Sequence, residues 1–99
     1  MEKFSAEKKL RRGLEMSSWV GCIPLLNEEL KNEIEKVCRD IREKDSTFRF
    51  RIHASFISDY PYILAIYGDD KDQVWRRLVW LKNKTALKEY NTPMWVKPR

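Results

Sequence analysis

The chain has 99 residues, 42% of them hydrophobic, which is enough for one domain with a modest core. A charged fraction of 35% with both signs interleaved, together with four tryptophans, excludes a disordered tail. The net charge is +5 and no apolar stretch approaches the length of a membrane span. We therefore expect a single domain over residues 1–99, in the cytoplasm and without a membrane contact.

The positive charges are concentrated at the two ends of the chain. Residues 1–12 carry five Lys and Arg against two Glu, and residues 76–99 carry seven against one. Chain termini often lie close together. If they do so here, a basic patch results, and such a patch attracts phosphates or acidic partners.

The first third of the chain predicts two helices separated by an extended segment. Residues 5–16 read as a helix with Ser5 as its N-cap. Residues 18–23 are predicted to be extended and to end in a bend, because Gly21 and Pro24 disfavour a helix. The clearest helix spans residues 28–44 and opens at Asn27. Its buried stripe has helical spacing and consists of Leu30, Ile34, Val37, Cys38 and Ile41.

Two strands are predicted next, forming an antiparallel hairpin over residues 47–58 and 61–67. The stretch FRFRIHASF alternates, and its apolar residues Phe48, Phe50, Ile52, Ala54 and Phe56 share what we interpret as a core face. Arg49, Arg51 and His53 then point to the other face. The run YPYILAIYG is apolar on both faces and is predicted to be the more buried strand.

The last third predicts a helix over residues 71–83, begun by an Asp70 cap, and then an extended tail. The side chains predicted to face inward are Val74, Trp75, Leu78, Val79 and Leu81. Thr85 can cap a following turn, and Pro93 and Pro98 prevent a helix in the tail. The predicted fold is α+β, a two- or three-stranded antiparallel sheet covered by the helices near 28–44 and 71–83.

The sequence contains no matched set of catalytic groups. His53 is the only histidine, and a Ser–His relay with Ser55 on the same strand has poor geometry. The cluster Asp69, Asp70 and Asp72 is explained by helix capping rather than by a metal site. Cys22 and Cys38 are interpreted as reduced, buried thiols. We therefore predict no enzyme activity, no metal site and no cofactor.

The basic side chains suggest nucleic acid as one partner. The residues that this hypothesis involves are Lys8, Arg11, Arg12, Arg49, Arg51, Arg76, Arg77, Lys82 and Lys84. A strand packed on one side explains Arg49 and Arg51 without any ligand, and this interpretation is favoured.

Exposed aromatic residues suggest a protein partner instead. The candidate interface residues are Trp75, Trp80, Met94 and Trp95. The preferred hypothesis is a non-enzymatic module for protein interaction or self-association, as a homodimer or with another protein. Nucleic-acid binding is the alternative, and a metal-dependent nuclease is a distant third.

Dense interleaved charges, a single Gln and three Gly are typical of thermophilic proteins. The length and the stretches ELKNEIEKVCRDIREK, FRFRIHASF and PMWVKPR resemble small uncharacterised proteins of the lipothrixviruses and rudiviruses, which infect hyperthermophilic archaea. The resemblance covers the whole chain and has no diagnostic motif. It implies a compact, heat- and acid-resistant α+β protein in an unusual fold, acting in the host cytoplasm, and it implies no catalytic residues.

Overall fold

The computed structural model describes residues 17–56 and 59–99. The predicted first helix, with Lys8, Arg11 and Arg12, lies outside the described residues. The elements in chain order are β1 (Trp19–Leu25), α1 (Glu28–Lys44), β2 (Arg49–Ala54), β3 (Tyr62–Gly68), α2 (Lys71–Lys84), a 3-10 helix (Ala86–Glu89) and β4 (Trp95–Pro98).

The four strands form one sheet in the order β2-β3-β1-β4, and every neighbouring pair is antiparallel. β1 and β2 are therefore parallel to each other with β3 between them, and α1 connects them. In the same way α2 connects β3 to β4 across β1. This is the connectivity of the split βαβ, or ferredoxin-like, arrangement. The predicted α+β class is confirmed, but the sheet has four strands rather than two or three.

β1 and β4 lie outside the predicted hairpin, in segments that the sequence predicted to be extended without assigning them a strand partner. β1 continues to Leu25, past the bend expected at Pro24. β4 pairs only with Trp19 to Cys22, so Pro24 lies where β1 has β3 as its one strand neighbour. A proline is tolerated there because its missing N–H can face away from the ladder. β4 is part of the tail, which was predicted to be extended and which pairs with β1 in the structure.

The main core lies between the sheet and the two helices. β1 contributes Ile23 and Leu25, and β3 contributes Leu64 and Ile66, all four without exposed surface. The helices cover this face with apolar side chains at helical spacing. The buried members of this core are Ile23, Leu25, Leu30, Ile34, Cys38, Phe48, Leu64, Ile66, Leu78, Leu81 and Leu87.

The helices begin at the predicted caps. The Asn27 side chain accepts a hydrogen bond from the Leu30 amide at 2.8 Å, and the Asp70 carboxylate accepts one from the Asp72 amide at 2.9 Å. Thr85 stops α2: its hydroxyl donates to the Leu81 carbonyl at 2.7 Å. The predicted end of this helix at residue 83 is one residue short.

Three predicted core positions are wrong, and the first of them is Ala54, which is exposed at the end of β2. Phe56 is fully exposed, because β2 ends at Ala54 and the alternation that assigned Phe56 to the core face stops with it. Trp75 is 43% exposed. The sheet covers only one side of α2, and Val74 and Leu78 already occupy that side, so the neighbouring position points away from it. Among the described residues, no helix is long and apolar enough to cross a membrane.

Candidate nucleic-acid interface

The sheet face opposite the helices carries the basic residues of β2 together with residues from every other strand. Cross-strand register arranges them in transverse rows. From β2 to β4, the first row is Arg49, Tyr67, Val20 and Lys97, and the second row is Arg51, Ala65, Cys22 and Trp95. The third row has three members, His53, Ile63 and Pro24. No described helix belongs to the apolar cluster on this face, and we refer to these residues as the open face.

The centre of the open face is apolar. Val20, Cys22 and Ala65 are buried there and form a small cluster of their own. The rings of Tyr67 and Trp95 are half-buried and pack against this cluster from opposite sides. Each of these two aromatic side chains therefore has an apolar support and keeps part of its surface exposed.

The rim of the open face is positively charged. Arg49 and Arg51 stand on β2, the strand at one edge, and Lys97 stands on β4, the strand at the other. None of the residues in the four strands is Asp or Glu, although the chain has 15 such residues. Within the described part of the chain, neither Arg49, Arg51 nor Lys97 has a carboxylate within 4.0 Å. Among the described residues, no acidic side chain therefore offsets the positive charge of this face.

Arg99 adds a further cation, although it follows the last strand. Its amide donates a hydrogen bond to the Ser18 carbonyl at 2.9 Å, which fixes the backbone beside β1. Its guanidinium then lies over the Tyr67 ring, 4.7 Å from the ring centre, in a cation–π contact. The end of the tail thus places a positive charge above the open face.

The two cysteines do not supply a nucleophile. Both are free thiols. Burial raises the pKa of the Cys38 thiol to about 12. Burial also raises the pKa of Cys22, and the nearby charge of Lys97 offsets this only in part. Both thiols are therefore neutral near pH 7, whereas a reactive cysteine needs its thiolate.

The basic residues predicted from the sequence do not form one patch. Arg49 and Arg51 lie on the open face, whereas Arg76, Lys82 and Lys84 lie on α2, in the other layer. Arg77 is turned towards α1. Its guanidinium lies 3.5 Å from the Asp45 carboxylate and 5.3 Å from the centre of the Phe48 ring.

Sequence reasoning missed Tyr67, Lys97 and Arg99 as candidate binding residues. The alternation of β3 would have placed Tyr67 on the same face as Ile63 and Ala65. The tail gave no comparable signal. Nothing in WVKPR indicates that it pairs with β1, so the neighbours of Lys97 and Arg99 were not predictable.

The four candidate interface residues are also dispersed. Trp95 belongs to the open face, and Met94 packs against the main core. Trp80 is 47% exposed and borders an apolar cavity of about 160 Å³ between α1 and α2. The cavity, which we call the Trp80 groove, is lined by Ile41, Asp45, Phe48, Arg77, Trp80 and Leu81. Trp75 lies five residues earlier on α2, about 140° around the helix from Trp80.

The remaining candidates offer little catalytic chemistry. His53 is exposed on the third row of the open face. Asp70 acts as the α2 cap, as predicted. Across residues 17–56 and 59–99, no three His, Cys, Asp or Glu side chains are grouped so that they could hold a metal ion.

In comparisons with known proteins, no family model, curated protein or solved structure matches the chain. Any function must therefore be inferred from the geometry of the chain itself.

Proposed function

We propose that this protein binds single-stranded nucleic acid on its open face. The observation that carries the proposal is the sheet without acidic residues, with cations on both edge strands and two half-buried aromatic rings on the same face. The interpretation that needs no ligand, a strand packed on one side, was made for Arg49 and Arg51 alone. It does not account for Lys97 and Arg99, which come from a distant part of the chain to the same face.

The open face carries cations and aromatic rings, which match the phosphates and the unpaired bases of a single-stranded nucleic acid. Lys and Arg neutralise backbone phosphates, and this contributes most of the sequence-independent affinity. Partly exposed rings such as Trp95 stack on unpaired bases, each base contributing about 1–3 kcal/mol, whereas the Tyr67 ring already carries the Arg99 guanidinium. In a duplex the bases are stacked on one another and cannot reach these rings. We therefore expect single strands to bind more tightly than duplexes.

Salt dependence of binding tests the proposal. A fluorescent oligonucleotide of about 12 nucleotides, within the range that one small domain covers, is titrated in an anisotropy assay. Affinity should fall steeply between about 50 and 200 mM salt, with a slope of about −0.7 per phosphate contacted. Arg51→Gln and Lys97→Gln should each reduce the slope by about 0.7.

Matched controls lie on the other layer of the molecule. Arg76→Gln and Lys84→Gln make the same charge changes on α2 and should leave the slope unchanged. Absence of binding at low salt would contradict the proposal, because phosphate contacts are strongest there. Equal effects of the α2 variants and the open-face variants would also contradict it.

Self-association through the Trp80 groove is the second candidate function. The exposed Trp80 ring beside an apolar cavity favours it, since tryptophans often dominate binding energy at interfaces. Charge supports a second copy of this chain as the occupant. α1 carries more acidic than basic residues, whereas Asp72 is the only acidic residue of α2. A symmetric dimer can therefore set α1 of each copy against α2 of the other.

Sedimentation equilibrium tests this second candidate. We expect a concentration-dependent dimer, and Trp80→Ser should weaken it by about 30-fold, as for a residue worth roughly 2 kcal/mol at an interface. Trp75→Ser is the matched control because Trp75 is equally exposed on another side of α2. A monomer at every concentration would contradict self-association and leave nucleic-acid binding untouched.

A further inference from the structure

A pocket of about 250 Å³ lies at the β2 end of the first row of the open face. We call it the arginine pocket. Its lining comes from both faces of the sheet, from the end of α1 and from the tail. The lining residues are Arg42, Ser46, Phe48, Arg49, Phe50, Arg51, Tyr67 and Arg99.

Four arginines line this pocket, and the described residues that line it include no Asp or Glu. Serine, phenylalanine and tyrosine are the other residue types in this lining. The ion pairs found among residues 17–56 and 59–99 join Glu35 to Arg39 and Asp45 to Arg77, and neither involves a pocket arginine. Four like charges around so small a volume repel one another, and a bound anion removes that cost.

Two of the guanidinium groups are held in place by aromatic rings. Arg42 lies 5.3 Å from the centre of the Phe50 ring, and Arg99 lies 4.7 Å from that of Tyr67. Arg49 is half-buried. These side chains therefore lose less freedom on binding an anion than free surface arginines would, which favours affinity.

We propose that the arginine pocket binds the terminal phosphate of a nucleic-acid strand. This inference rests on the proposed function, because the pocket holds the end of a strand that is bound along the open face. A phosphate within a strand has a single negative charge and two linked oxygens. A terminal phosphate has close to two charges and three free oxygens. Four forked guanidinium donors match the terminal group, because each fork can bind two oxygens at once.

The test compares one oligonucleotide with a 5′-phosphate, with a 3′-phosphate and with neither, the dye being at the end opposite the phosphate. One phosphorylated form should bind about tenfold more tightly than the form without phosphate, the effect expected of one additional charge-assisted hydrogen bond. Arg49→Gln and Arg99→Gln should each abolish this preference. Arg76→Gln, a matched change outside the pocket, should retain it.

The other outcomes separate the two proposals. Equal affinity for all three oligonucleotides would overturn the terminal-phosphate inference and leave the proposed function standing. Failure of every oligonucleotide to bind would overturn both. A mononucleotide that competes as well as the whole oligonucleotide would overturn the assignment to a strand end, since the pocket would then bind free phosphate esters. Retention of the preference in both pocket variants would overturn the assignment to these arginines.

Discussion

At Gly21 the sheet and α2 approach each other closely. A methyl group there would lie 2.6 Å from Val74 Cγ1 and 2.6 Å from Leu78 Cδ1. Val74 also covers Gly68 on the neighbouring strand, where a methyl group would lie 2.7 Å from Val74 Cγ2. The Val74 side chain thus packs over two glycines, and this contact sets how closely α2 packs on the sheet.

We expect Gly21→Ala to destabilise the protein by about 1–3 kcal/mol, the usual cost of inserting atoms into a packed core. Urea denaturation measures this change. In a Val74→Ala background the same substitution should cost less by at least about 0.5 kcal/mol, because one of the two clashing side chains is gone. The same cost in both backgrounds would show that Val74 does not limit the approach.

Single residues were predictable from sequence where local spacing decides their environment. The sides taken by Phe48, Phe50 and Arg51 follow from strand alternation, and the structure places them accordingly. Phe56 and Trp75 were not predictable in this way. Where a strand leaves its sheet, and which side of a helix the sheet covers, depend on partners distant in sequence.

At the scale of single elements, α1 is the most regular part of the molecule. It begins at the Asn27 cap, with Glu28 and Glu29 in its first turn and Arg42 and Lys44 in its last. This arrangement complements the helix dipole at both ends. Glu35 and Arg39, one turn apart, form an ion pair at 3.0 Å.

The Asn27 cap should contribute measurably to stability. Asn27→Ala removes the acceptor for the Leu30 amide, so we expect the free energy of unfolding to fall by about 1 kcal/mol. Asn32→Ala is the matched control, since Asn32 is exposed within α1 and alanine is the better helix former. The control should be neutral or slightly stabilising. An equal loss from both substitutions would argue against capping as the cause.

The helices and strands that the sequence predicts best are those whose patterns lie within a few neighbouring residues. The spacing and caps of α1 and α2 specify both helices to within a residue. The alternation in β2 and the apolar run of β3 specify the hairpin. β1 carries Gly21 and Pro24, and β4 has only four residues. β1 becomes a strand by pairing with β3 and β4, and β4 by pairing with β1, and no local pattern predicts these distant pairings. The open face needs all four strands, so its composition was not predictable.

At the scale of the whole molecule, stability should depend little on acidic pH. The two ion pairs found in the described part of the chain are both solvent-accessible. The hydrogen bonds from Thr47, and secondarily the charge of Arg77, lower the pKa of Asp45. A lowered pKa stabilises the fold above the ordinary carboxyl value, and this support is lost as the pH falls through the folded value. Because Asp45 is exposed, the loss should be small.

Thermal unfolding followed at pH 7 and at pH 2 measures this expectation. We expect the melting temperature to fall by less than about 10 °C, which for a chain of this size corresponds to roughly 1–2 kcal/mol. Asp45→Asn should remove part of the pH dependence, since it cannot titrate. A much larger fall in the wild-type protein would indicate ionised carboxylates on which the fold depends.

The central position of β1 has a consequence for how the protein folds. β1 is the first of the described strands to be synthesised, yet Leu25 pairs with Tyr62 and Cys22 with Trp95. Contacts so distant in sequence close large loops, and a high contact order slows folding. In a nascent chain β1 therefore has no strand partner until β3 has been synthesised, and its second edge remains unpaired until β4 follows. An unpaired strand edge is a site of aggregation, so this order of synthesis exposes β1 to aggregation before the sheet is complete.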